Sequence, residues 1–297
     1  MKKSTKVFFM IASILIALGL VLTTVGIATG GFRQVVKWAV NGDMNLNFTK
    51  GLAPVYNIHF DDKNEILFGN IKETVVNDRD NIQKIAVEIG GGTLVIKETS
   101  GDEIKLSSVN ANKFQYFVSD DTLVIRQKSD ISLNTGGTIT LLIPGDMEFE
   151  FIDLSIGGGI LKADKLKSDK VKLEVGAGKI DFDFLQAKEL EVSVGAGEIK
   201  MNDSNVEDVN MEVGMGHINY KGSITGDLLA ECAMGSVEFD LKGHEEDYNY
   251  KTSCSMGNIQ IGSNSYTGLA MDRAIQNGAD STFTLECAMG NIQVKFR

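Results

Sequence analysis

The strongest constraint on this chain is a glycine that returns every 19 residues. It closes a corner in the phrase apolar-x-apolar, small-x-Gly, x-apolar-x-apolar. The glycine falls at Gly159, Gly178, Gly197, Gly216 and Gly235, then slips to Gly257 and Gly290. The clearest copies run Leu173 to Phe182, Val192 to Met201 and Met211 to Tyr220. A fixed period in this range marks a stacked array, in which each unit buries its apolar face against its neighbours.

Within one copy, Val171, Leu173 and Val175 alternate with Lys172 and Glu174, and Ile180 and Phe182 alternate with Lys179, Asp181 and Asp183. This is the period of two short strands, each with one wet face, joined at a glycine corner. The corner glycines are expected to supply backbone angles that a Cβ would resist. Residues one period apart form apolar columns, such as Leu161, Ile180, Ile199, Ile218 and Val237, and Ala163, Phe182, Met201, Tyr220 and Phe239. Wet positions alternate in sign: Lys179 would lie under Glu198, and Lys162, Asp181 and Lys200 would follow one another. Both patterns predict an all-β, parallel β-solenoid with rungs of about 19 residues. An antiparallel meander with Gly-x-Gly hairpin loops is the alternative.

Ahead of the array, a basic head with Lys2, Lys3 and Lys6 precedes an uncharged apolar run from Val7 to Ala28. As a helix that run spans roughly 33 Å, enough to cross a hydrocarbon core of roughly 30 Å. A retained single-pass anchor is expected, with everything after residue 30 outside the membrane; cleavage at Gly26-Ile-Ala28 is the alternative. The expected domains are the head and anchor at 1–31, a juxtamembrane segment and stalk at 32–81, an irregular β section or cap at 82–153, and the regular rungs at 154–297. The slips in the period place insertion loops at 243–247 and 263–281. Ala270 to Asn277 could form a short covering helix, and Val294 to Arg297 would put two cations on the open end of the stack.

The net charge is -11. With no basic stripe, nucleic acid is not an expected partner. Catalysis has little to stand on, since His59, His217 and His244 lie near no recognisable nucleophile. Glu174, Glu212, Glu231 and Glu286 form a wet column that is the candidate binding face, with Tyr266, Asp272 and Arg273 as the candidate binding loop. Paired carboxylates also raise a polysaccharide-active β-helix enzyme as an alternative. The middle residue of the corner runs Gly158, Ala177, Ala196, Met215, Met234, Met256, Met289, and the methionines are expected to fill a corner cavity. Cys232, Cys254 and Cys287 replace Val175, Val194 and Val213 at an inward position. A copper(I) site of these thiols and thioethers is conceivable, but buried thiols, no metal and no cofactor are the expectation.

The Lys-led head, Ile139-Thr-Leu-Leu-Ile-Pro144 and the Leu-x-Ile-Gly-Gly-Gly and Leu-x-Val-Gly-Ala-Gly-x-Ile copies resemble a bacterial family over residues 82–297. It is the "putative adhesin" family of β-strand repeat proteins, an uncharacterised domain family of Gram-positive envelopes. The resemblance implies a right-handed solenoid on the cell surface and brings no catalytic residues. The expected function is a non-enzymatic, membrane-anchored surface protein of the bacterial cell membrane, its C-terminal domain extracytoplasmic and binding an envelope protein or glycan. An envelope-stress sensor or regulator is the alternative.

Overall fold

The computed structural model describes residues 58, 60–128, 137–267 and 271–297. The expected anchor at 7–28 and juxtamembrane segment from residue 32 to 57 lie outside the described residues, as does His59. Among the described residues no helix is long and apolar enough to cross a membrane. All regular structure there is β-strand apart from two short 3-10 turns.

In chain order the strands are β1 (Leu67–Val75), β2 (Lys84–Ile89), β3 (Thr93–Thr99), β4 (Lys105–Ser119), β5 (Thr122–Gln127), β6 (Thr138–Pro144) and β7 (Phe149–Ile156). Three long strands follow, β8 (Ile160–Val175), β9 (Lys179–Val194) and β10 (Glu198–Val213). The rest are β11 (His217–Ile224), β12 (Leu228–Cys232), β13 (Ser236–Leu241), β14 (Asn249–Cys254), β15 (Asn258–Ile261), β16 (Asn264–Thr267), β17 (Met271–Ile275), β18 (Thr282–Cys287) and β19 (Asn291–Phe296).

The long strands show why the period is 19. In β9 the inward residues are Ile180, Phe182, Leu185, Ala187, Leu190, Val192 and Val194. Alternation slips by one residue after Phe182 and again after Ala187, and each slip keeps an apolar residue pointing inward where the strand changes direction. With the glycine corner, these bends bring the chain round to pair with itself one period later. Ile180 is the parallel partner of both Leu161 and Ile199, Ile199 of Ile218, and Ile218 of Val237. All five are fully buried. Parallel, in-register pairing holds through the regular rungs, so the antiparallel meander is excluded there.

The corners carry the ladder across the turn. Gly176 N donates to Ile156 O at 2.8 Å, Ala177 N to Gly157 O at 2.7 Å and Lys179 N to Gly159 O at 2.9 Å. None of the repeating glycines from Gly159 onward has a left-handed φ. The expectation of special backbone angles is therefore corrected: the requirement is space. A Cβ on Gly197 would stand 2.4 Å from both the Gly178 oxygen and Val175 Cγ1.

Both ends depart from chain order in the same way. At the start, the rung made by β2 and β3 lies between β5/β6 and β7/β8, paired in parallel to both. Antiparallel β4 then covers β5 and β6, and β1 pairs with β4. At the finish, β18/β19 is inserted between β12/β13 and β14/β15. Antiparallel β16 and β17 cover the outermost rung. Two expectations are corrected by this arrangement. Residues 271–275 form an edge-covering strand instead of a helix, because Tyr250 to Cys254 offer them an open ladder. Val294 lies within an interior layer, paired to Phe239 on one side and Ile261 on the other, instead of on an open end.

Candidate functional site

The outward columns of the stack mostly neutralise themselves. Lys179 reaches Glu198 at 2.9 Å, Lys170 reaches Glu189 at 2.8 Å, and Lys188 reaches Asp169 at 2.7 Å, each pair one rung apart. These are exposed pairs worth about 0 to 1 kcal/mol each.

One column behaves otherwise. Parallel register places Glu212 beside Glu231 and Glu231 beside Glu286. Next in line come Ser253 and, across the antiparallel edge, Asp272, whose Oδ1 accepts from Ser253 Oγ at 2.8 Å. None of the three glutamates takes part in an ion pair among the described residues. The Glu231 carboxyl is held above its ordinary range, first by burial and then by the charges of Glu212 and Glu286. Like charges on directly adjacent strands are destabilising. Glu174 belongs to the same column but stands apart, buried, with Lys172 Nζ at 2.7 Å and Ser155 Oγ at 3.5 Å.

The candidate loop divides. Asp272 and Arg273 are exposed and line a hollow with Ser253 and Glu286. Tyr266 is buried, with the Arg273 guanidinium 5.7 Å above its ring centre. The structure thus joins the acidic face and the exposed part of the loop into one surface, with Tyr266 beneath it.

A second feature lies on the same rungs. Met215, Met234, Met256 and Met289 are 63%, 52%, 64% and 53% exposed. The expected filling of a corner cavity is therefore wrong: the methionines stand outside. The corner tip stands between buried Gly214 and Gly216 and turns its side chain away from the core. Upstream, where the tip is Gly158, Ala177 or Ala196, it forms the floor of a groove that runs up to Met215 and Met234. The signal was available in the sequence, because a corner that closes over glycine and alanine has no cavity to fill.

The cysteines are buried and unbridged. Cys287 is the register partner of both Cys232 and Cys254. Contact with Cys232 and burial push the Cys287 thiol well up, and burial raises that of Cys254. Among the described residues no group of histidine, cysteine and carboxylate side chains is arranged to hold a metal.

The family model described as Toastrack DUF4097 matches residues 82–295, most of the chain. The chain belongs to the Toastrack family. The resemblance to an adhesin-type repeat family over residues 82–297 is thereby borne out. No curated protein matches the Toastrack chain. Among solved structures, it is similar to a "putative cell adhesion protein" from Clostridium sporogenes ATCC 15579, at 16% identity over 78% of this chain and 100% of that one, with a TM-score of 0.35. A "putative adhesin" from Parabacteroides distasonis ATCC 8503 is 15% identical over 79% of this chain and 98% of its own, with a TM-score of 0.41. A "putative lipid binding protein" from the same organism is 16% identical over 76% and 97%, with a TM-score of 0.39. Each name describes that protein alone.

Proposed function

We propose that this Toastrack chain is a non-enzymatic, membrane-anchored surface protein. Its β body, a right-handed solenoid carried outside the cell by the helix at 7–28, binds a protein or glycan bearing cationic groups. The observation that carries the reading is the unpaired carboxylate column of Glu212, Glu231 and Glu286, continued by Asp272. Several other columns pair opposite charges across rungs, as Lys179 with Glu198 and Lys170 with Glu189 do, so a run of like charge with no such partner is an acceptor for charge supplied from outside. The reading as a binder and not an enzyme is supported by the placement of these carboxylates. They stand side by side on one sheet face, whereas glycosidic cleavage needs two that flank the bond.

The test is a crosslinking pulldown from intact cells with the full-length chain, run beside the E212Q/E231Q/E286Q variant. A partner captured by the first and lost by the second is the expected result; an unchanged partner list overturns the assignment to this column. External protease should digest the β body on intact cells, and protection there would overturn the outward orientation.

A further inference from the structure

The methionine ridge calls for an account of its own. Its spatial order is Met215, Met234, Met289, Met256, because the last rung of the chain is inserted before the one that precedes it in sequence. Backbone hydrogen bonds set the order: Met234 N donates to Gly214 O at 2.8 Å, Met289 N to Ala233 O at 2.7 Å and Met256 N to Ala288 O at 2.7 Å. Four thioethers from distant parts of the sequence are therefore stacked on one edge, about 4.8 Å apart at the backbone. Packing does not explain them, since each is more than half exposed and the corner closes over alanine elsewhere.

We propose that this ridge is a binding site for Cu(I), held by thioether sulfurs of successive rungs. Thioethers are soft, neutral ligands that select the soft cuprous ion. Unbranched side chains with three rotatable bonds, rising from adjacent rungs, can bring neighbouring sulfurs onto one ion. Neutral ligands leave the charge of the ion uncompensated, and the acidic column supplies the compensation. Glu212, Glu231 and Glu286 each lie three residues before Met215, Met234 and Met289 on the same rungs. The two columns appear together: the rung before them carries Ser193 and Ala196, and the one before that has Ala177 with Glu174 already paired to Lys172. His217, lining the groove beside Met215, offers an imidazole at one end of the row.

This site is separate from the buried cysteine column, and the experiment is designed to tell them apart. The full chain in detergent, reduced and anaerobic, is titrated with Cu(I) against a chromophoric chelator. It is compared with M215L/M234L/M256L/M289L, which keeps the apolar volume, and with C232V/C254V/C287V, which restores the valine of earlier rungs; melting curves verify that both fold. The expected result is Cu(I) taken by the wild type, uptake lost in the leucine variant, which has no sulfur on the ridge, and affinity unchanged in the valine variant. No uptake by the wild type, full affinity in the leucine variant, or loss in the valine variant overturns the proposal. A readout without substitutions uses redox-inert Ag(I) and methionine methyl NMR. The ridge methyls should shift while those of buried Met201 and Met211 stay, and absent or uniform shifts overturn it.

Discussion

A Cβ placed on Gly178 would stand 2.5 Å from the carbonyl oxygen of Gly159, its counterpart one rung below. On Gly176, two residues earlier, the nearest approach would be 3.0 Å, to the oxygen of Gly157. The two corner glycines are thus unequal, and later rungs agree, with Ala233, Ser255 and Ala288 at the first position but glycine always at the second. Gly178→Ala is expected to cost about 1–3 kcal/mol, the range for forced overpacking, and Gly176→Ala distinctly less. Urea unfolding of both measures the difference; equal costs would show that the close approach does not matter.

The acidic column makes stability depend on pH in a definite sense. The folded Glu231 carboxyl sits above its ordinary 4.5. The folded state therefore holds this proton more tightly than the unfolded chain, and stability falls as pH rises from that value through the folded one. Glu231→Gln should melt higher than wild type near pH ~7 and alike near pH ~4. Melting curves across that range check it, and a difference that does not change with pH would contradict the electrostatic account.

The thiols should be silent in the native state. Cys232, Cys254 and Cys287 are buried, and raised thiols at Cys254 and Cys287 lower the thiolate fraction that reacts. A thiol-specific reagent should label the folded protein slowly and all 3 cysteines after denaturation. Rapid labelling of the native form would place them outside the core.

The C-terminal strand should not fray. β19 is paired on one side to β13 and on the other to β15, so amides of Ile292 and Val294 are expected to exchange as slowly as that of Ile199, while β16 exchanges early. Hydrogen exchange read by mass spectrometry decides this. Fast exchange throughout β19 would mean that the terminal rung is not inserted.

The regular rungs were legible in the sequence because a strict period fixes the parallel partners, although Ser204 to Val206 pair with β11 one residue short of that interval. Lys179 under Glu198 and Ile180 under Ile199 are found where the 19-residue interval places them. Three things were not legible. The order of the terminal rungs was hidden, since the slips to Gly257 and Gly290 give the length of the excursions but not the layer to which each returns. The reason for the second glycine was misread, because a close contact across rungs leaves the same mark in one sequence as a left-handed turn. The candidate acidic face was read as one column of four, yet Glu174 lies buried with Lys172, a pairing within its own strand that the interval between rungs does not reveal.

The interleaved ends constrain how such proteins can change in length. Between Ile160 and Val213 each rung hands over to an equivalent one, so a duplicated unit there would find its neighbours already matched. At either end a duplicated unit would have to enter a clasp whose two leaves follow one another in the chain, while the rung they grip comes before both of them or after both of them. Toastrack arrays built this way can lengthen from within, while their two ends stay the same.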